Sequence, residues 1–148
     1  MNVSTLKSAR GVGLIEVLIT LLVLSTALLT LASLQTRAMQ YNQGAYFRSQ
    51  ANQLGYDILD RMRANSRNLA AYETPLQNAT KNPVTVGALA TIDVSQWMNN
   101  IAVNLPLGRG GINCNANRLC VVTIQWNELN SSGNALENVS GFTYSAKL

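Results

Sequence analysis

The sequence predicts an α+β fold in which one long N-terminal helix, apolar in its first half and amphipathic in its second, packs on a small antiparallel sheet head. Three observations carry this. From Val12 to Leu34 the chain reads V-G-L-I-E-V-L-I-T-L-L-V-L-S-T-A-L-L-T-L-A-S-L, 23 residues with one charge. Helix-compatible sequence then continues without a proline as far as Pro75. Further on, Cys120 to Trp126 (C-V-V-T-I-Q-W) and Val139 to Ser145 (V-S-G-F-T-Y-S) have strand-like, β-branched composition.

The apolar run comes first. At about 1.5 Å per residue it makes roughly 35 Å of helix, enough for a bilayer core of about 30 Å. Lys7 and Arg10 precede it, and a positive flank stays in the cytoplasm, so the C-terminal bulk is expected on the other side. A cleaved secretory signal fits poorly: it has an apolar region of about 7 to 15 residues followed by an A-x-A-like site. Here the run is longer, and its end, T-L-A-S, matches that site only weakly. A plain membrane anchor gives no reason for Glu16, since a carboxylate in hydrocarbon costs about 2.5 kcal/mol or more on insertion scales. An ionisable group so placed needs a partner.

One helix is expected from about Gly13 to Asn65. In its second half Phe47, Ala51, Leu54, Ile58 and Met62 recur at spacings of four, three, four and four, a face suited to a globular head. Gln50, Gln53, Asp57 and Asp60 point elsewhere. Gly44 and Gly55 each weaken the helix by about 1 kcal/mol relative to alanine, and read either as bending points or as tolerated surface glycines. Residues 66 to 92, with Pro75 and Pro83, read as a connecting region with little periodicity. Asp93 is expected to open a short helix, with Gln96 at the reciprocal capping position, Trp97, Ile101 and Leu105 as its core stripe, and Pro106 as its stop. The turn L-P-L-G-R-G-G follows, then a strand near Gly111 to Cys114 and the two strands named above, with N-S-S-G-N turning between those two.

Cys114 and Cys120 are separated by the five residues N-A-N-R-L, a spacing that closes a small loop or clamps a hairpin. With an export-type N-terminus an oxidising compartment is expected to make them a disulfide, worth about 2 kcal/mol at most for so short a loop, the alternative being two free structural thiols.

Composition narrows the function classes. The chain has 148 residues and no histidine, which removes the commonest general base and metal ligand, and two cysteines alone cannot make a four-ligand zinc site. Beyond Lys7 and Arg10, nine basic side chains face seven acidic ones, too even a balance for nucleic-acid binding. The seven acids form no H-E-x-x-H and no EF-hand loop, and no G-x-S-x-G elbow is present. Gly108-Arg109-Gly110-Gly111 lacks the lysine and spacing of a phosphate loop and reads as a turn. Asp57 and Asp60 lie one helical turn apart, open to a cation or simply an exposed helix face beside Arg61. No catalytic residue, metal or cofactor is expected.

The stretch Arg10-Gly11-Val12-Gly13-Leu14-Ile15-Glu16-Val17-Leu18 resembles the class III signal of type IV prepilins, G-F-T-L-I-E-V, with Val12 in place of Phe and Gly13 in place of Thr. The resemblance implies cleavage between Gly11 and Val12 by a prepilin peptidase, methylation of the new amine at Val12, and retention of the helix. Residues 1–11 are then a leader, 12–34 the transmembrane and filament-core helix, 35–65 its amphipathic continuation, and 66–148 a periplasmic head. Glu16 becomes the fifth mature residue, and its implied role has a physical account. A neighbouring subunit's N-terminal amine and Glu16 form a pair in a low-dielectric bundle, relieving two desolvation costs at once and favouring assembly.

Within pilin-like proteins, Asp60-Arg61-Met62-Arg63-Ala64-Asn65 is similar to the E-R-M-R-A-N of PilV-type minor pilins, with Asp60 for Glu. The Trp97 helix leading into L-P-L-G-R-G-G and the V-T-I-Q-W strand after a cysteine add to this likeness. A minor pilin initiates or assembles a type IV pilus from the inner membrane. Its implied partners are other minor pilins, the major pilin, the inner-membrane assembly machinery and a tip adhesin. A type II secretion pseudopilin shares the N-terminus and is the alternative. Arg61, Arg63 and Arg67 read either as a solvated helix end or as a contact to an acidic patch on a neighbouring subunit. Direct binding of DNA or of a host surface finds little support in so small a cluster.

Overall fold

The computed structural model describes residues 13–128 and 139–148 and has the expected α+β architecture, a long N-terminal helix packed on a four-stranded antiparallel sheet. Two compact units divide the chain, Met1–Met39 and Gln40–Leu148. Helix α1, Leu14–Ala64, supplies residues to both.

In the first unit the described residues of α1 are exposed, including all of the apolar stretch that is long enough to cross a membrane. Five of its hydroxyls bond back to the helix. Thr20 donates to the carbonyl of Val17, Ser25 to Leu21, Thr26 to Val23, Thr30 to Thr26 and Thr36 to Ala32, at 2.7–3.1 Å.

In the second unit α1 buries Ala51, Leu54, Gly55, Ile58, Leu59 and Met62, with Phe47 partly buried. Spacings of three and four put these side chains on one stripe, as the periodicity requires. The helix leads into a 3-10 segment, Ser66–Tyr72, whose regular geometry breaks at Asn68. Strand β1 (Thr74–Asn78), helix α2 (Leu89–Asn104) and strands β2 (Arg109–Cys114), β3 (Leu119–Asn127) and β4 (Val139–Lys147) complete the fold. The sheet runs β1-β2-β3-β4 with every pair antiparallel. In β3 Cys120, Val122, Ile124 and Trp126 face inward, the period-2 alternation of a half-covered sheet. They meet Ile58 and Met62 of α1 and Trp97 and Ile101 of α2 in one core, so the expected α2 stripe is indeed buried.

Two close approaches set how tightly these layers sit. A β-carbon at Gly55 would lie 2.5 Å from the Tyr144 ring, and one at Gly110 would lie 2.9 Å from the Trp97 ring. Gly55 is therefore a seat for β4 on α1, neither a bending point nor a surface residue. Gly110 and Gly111 lie in β2, and the turn itself ends at Gly108.

Two expectations are corrected. The stretch from 66 to 92 is not simply a connection: it holds the 3-10 segment, β1 and the first turn of α2. Helix α2 starts at Leu89, behind Ala88, which makes no side-chain cap, so Asp93 is a buried residue of the helix body. Its carboxylate has stronger partners elsewhere, and the capping box does not form.

Cys114 and Cys120 face each other across β2 and β3 and are bonded, with their Cα atoms 4.0 Å apart. Reduction is expected to cost about 2 kcal/mol, the loop being short. Thermal melts of the Cys114→Ser/Cys120→Ser protein should show a folded head with a lowered midpoint, and an unchanged midpoint would contradict this value.

Candidate functional site

Three features of the described chain bear on function. First is the apolar half of α1. With most of its hydroxyls bonded back to the helix, this surface offers mainly hydrocarbon and, in its first turn, the carboxylate of Glu16. Among the described residues no side chain pairs with Glu16, and the residue is exposed. An acid on such a surface stays ionised in a dry environment only with an external cation beside it. Gly11 and Val12, the expected processing residues, lie outside the described residues, as does the rest of the expected leader.

Second is a polar clasp where α1, the 3-10 segment and α2 meet. Arg61 donates from Nε to Asp57 Oδ2 at 3.0 Å, and from Nη1 to Asp93 Oδ1 at 3.2 Å and Gln96 Oε1 at 3.0 Å. The Tyr72 hydroxyl donates to Asp93 Oδ2 at 2.7 Å, and Asn65 Nδ2 donates to that hydroxyl at 3.3 Å. Burial disfavours the charged Arg61, but the hydrogen bonds and charges of Asp57 and Asp93 outweigh it and raise its pKa further. Burial also raises the Tyr72 phenol, and donation to the Asp93 carboxylate adds to the shift. Gln96, expected at a capping position, thus receives Arg61 instead.

The R-M-R-A-N stretch is resolved into distinct jobs. Arg61 and Asn65 tie the helix end down, Met62 is core, and Arg63 pairs on the surface with Asp60. Arg67 is exposed on the 3-10 segment. Asp57 and Asp60 each face an arginine, and among the described residues no group of three His, Cys, Asp or Glu is placed to hold a metal.

Third is a latch between α1 and the end of β3. Arg48 Nε and Nη2 donate to the two oxygens of Glu128 at 3.1 and 3.2 Å. This bond holds the Glu128 carboxyl below its ordinary range, against the opposing effect of partial burial. A lowered carboxylate stabilises the fold above its unfolded pKa, and that contribution is lost as pH falls through the folded value. The Glu128→Gln protein should therefore lose less stability than the parent on acidification below about pH 4.5, as read from melting midpoints, in keeping with the linkage relation. Identical acid dependence would show that the latch contributes nothing.

Sequence reading found Arg61 but not its buried partners. Tyr72 and Asp93 are separated from it by 11 and 32 positions, and only the fold brings the three together. Arg48 and Glu128 are 80 positions apart and carried no local signal.

Residues 33–96 match the family model described as Tt1218-like, type IV pilin Tt1218. The match spans the head-side part of α1, the 3-10 segment, β1 and the start of α2, including the whole clasp up to Gln96. It supports a type IV pilin-like family and a pilin subunit in general, and the long apolar helix fits a membrane-anchored pilin. No curated protein and no solved structure matches the chain.

Proposed function

We propose that this pilin-like chain is a minor pilin of the PilV type, which helps to initiate and assemble a type IV pilus from the inner membrane. The observation that carries the reading is the apolar half of α1, an exposed hydrocarbon surface whose one charge within the stretch, Glu16, has no partner among the described residues. A subunit with that surface leaves lipid for a bundle of like helices when a neighbour supplies the missing cation. The cation is the methylated amine of Val12 on the adjacent subunit, freed when the prepilin peptidase cuts after Gly11.

Before assembly the N-terminus is cytoplasmic and the head periplasmic. After assembly the subunit sits among other minor pilins and the major pilin, delivered by the inner-membrane machinery, with a tip adhesin beyond. With Arg61 engaged inside the clasp, Arg63 and Arg67 are the members of the arginine set that can reach an acidic patch on a neighbour. The subunit performs no catalysis.

Intact and N-terminal mass analysis of membrane-derived protein, with and without the peptidase, tests this reading. A chain that starts at N-methylated Val12 only when the peptidase is present is the expected result. An uncut chain, or one that starts beyond the apolar run, would remove the pilin reading.

A further inference from the structure

We propose that a cleft in the head is a docking site for an acidic, apolar segment of a partner polypeptide. The cleft has a volume of about 820 Å³ and lies between Phe47 of α1, the residues after β1, and the turn joining α2 to β2. Two backbone bonds make that turn a fixed wall. The Ala79 N–H donates to Gly108 at 2.9 Å, and the Asn127 N–H donates to Pro106 at 3.0 Å.

Among the described residues the charge of the cleft is one-sided. Lys81 and Arg109 line it, and no aspartate or glutamate is among its described lining residues. The Arg109 guanidinium finds no hydrogen-bond acceptor and no counter-charge among the described residues, and its Nε is buried. A guanidinium held partly out of water and uncompensated carries a desolvation cost, which the charge of a carboxylate on its outer nitrogens offsets in part. Arg61 and Arg48, by contrast, have their carboxylates within the chain.

The apolar rim points to what accompanies that carboxylate. Val103 is 62% exposed and Leu107 is 67% exposed. Leu107 also has a φ of 49°, in the left-handed region that glycine occupies freely and a leucine only under strain. The fold gains nothing from a leucine there, since the side chain covers no core. A strained, outward leucine beside an uncompensated arginine suits a surface selected for contact, and an acidic segment with apolar neighbours satisfies both halves.

The test places a photo-crosslinking benzoylphenylalanine at Val103 of the full-length chain, irradiated in the cells that make it. The expected adduct joins a second polypeptide through a stretch that carries Asp or Glu within a few residues of the linked position. Its yield should fall about ten-fold or more in Arg109→Gln, as for a lost charge-assisted hydrogen bond, and stay near the parent value in Arg109→Lys. Leu107→Gly should lower the yield as well, with a melting midpoint no lower than the parent's. That variant keeps the test decisive even if Arg109→Gln fails to fold. No adduct, an adduct to lipid or to residues 129–138 of the same chain, an acid-free linked stretch, or yields indifferent to Leu107→Gly would overturn the proposal.

Discussion

Asp93→Ala is expected to cost the head about 2–4 kcal/mol, a large share of the 5–15 kcal/mol that holds an ordinary domain together. The substitution strips the Tyr72 hydroxyl of its acceptor and Arg61 of one of its two carboxylates, inside a junction of three elements. Breaking a buried pair costs about 3–5 kcal/mol, and the range is lowered here because Arg61 keeps Asp57 and Gln96 and is partly solvated. Asp57→Ala removes the outer, more solvated i,i+4 pair of the clasp and should cost only about 0.5 kcal/mol. Tyr72→Phe, which removes one hydroxyl and its bond, should fall between, at about 1 kcal/mol. Urea melts of the three variants give the ranking, and an Asp93→Ala cost no larger than that of Asp57→Ala would show that the clasp does not hold the head. Because the Tyr72 pKa is raised, its contribution is fully present below the ordinary phenol range and is lost as pH rises through the folded value.

Glu16→Leu is expected to abolish incorporation into filaments while leaving leader cleavage and the melting midpoint of the head unchanged. Leucine preserves the helix and makes the segment easier to place in lipid by about 2.5 kcal/mol or more. If membrane insertion were the purpose of the segment, the variant would be at least as good as the parent. If Glu16 balances a neighbour's amine, its loss leaves that amine uncompensated in a dry bundle, at about 3–5 kcal/mol, or a hundred-fold or more in association. Immunoblots of sheared filaments against membranes measure the partition. A parent-like partition of the variant would remove Glu16 from the assembly mechanism.

The parts of this fold that could be read locally were those whose causes are local. Helix α1 was expected from Gly13 to Asn65 and spans Leu14–Ala64, because a periodic apolar stripe and the absence of proline act along one segment. The disulfide and the strands β3 and β4 followed from spacing and composition in the same way. Strand β1 did not. Its sequence, T-P-L-Q-N, has one β-branched residue and a proline, and it becomes a strand only because β2 offers an edge. Asp93 misled for a related reason: in sequence it is a capping residue, while in space it faces Arg61 and Tyr72. Of the candidate site, Glu16 was legible as a charge out of place, whereas the strain at Leu107 and the isolation of Arg109 exist only once the chain is folded.

The back-bonded hydroxyls of α1 also govern how the segment answers to force. Each of the carbonyls of Val17, Leu21, Val23, Thr26 and Ala32 accepts from a side chain on the following turn. A carbonyl that shares its lone pairs between an amide and a hydroxyl tilts outward at little cost, and helices carrying such groups curve more readily than plain apolar ones. The acceptors are spread over the length of the segment, so compliance is distributed instead of gathered at one hinge. Under axial load such a helix takes up strain as shallow curvature spread over the segment instead of as a kink at one point, which gives the apolar stretch the compliance of a spring.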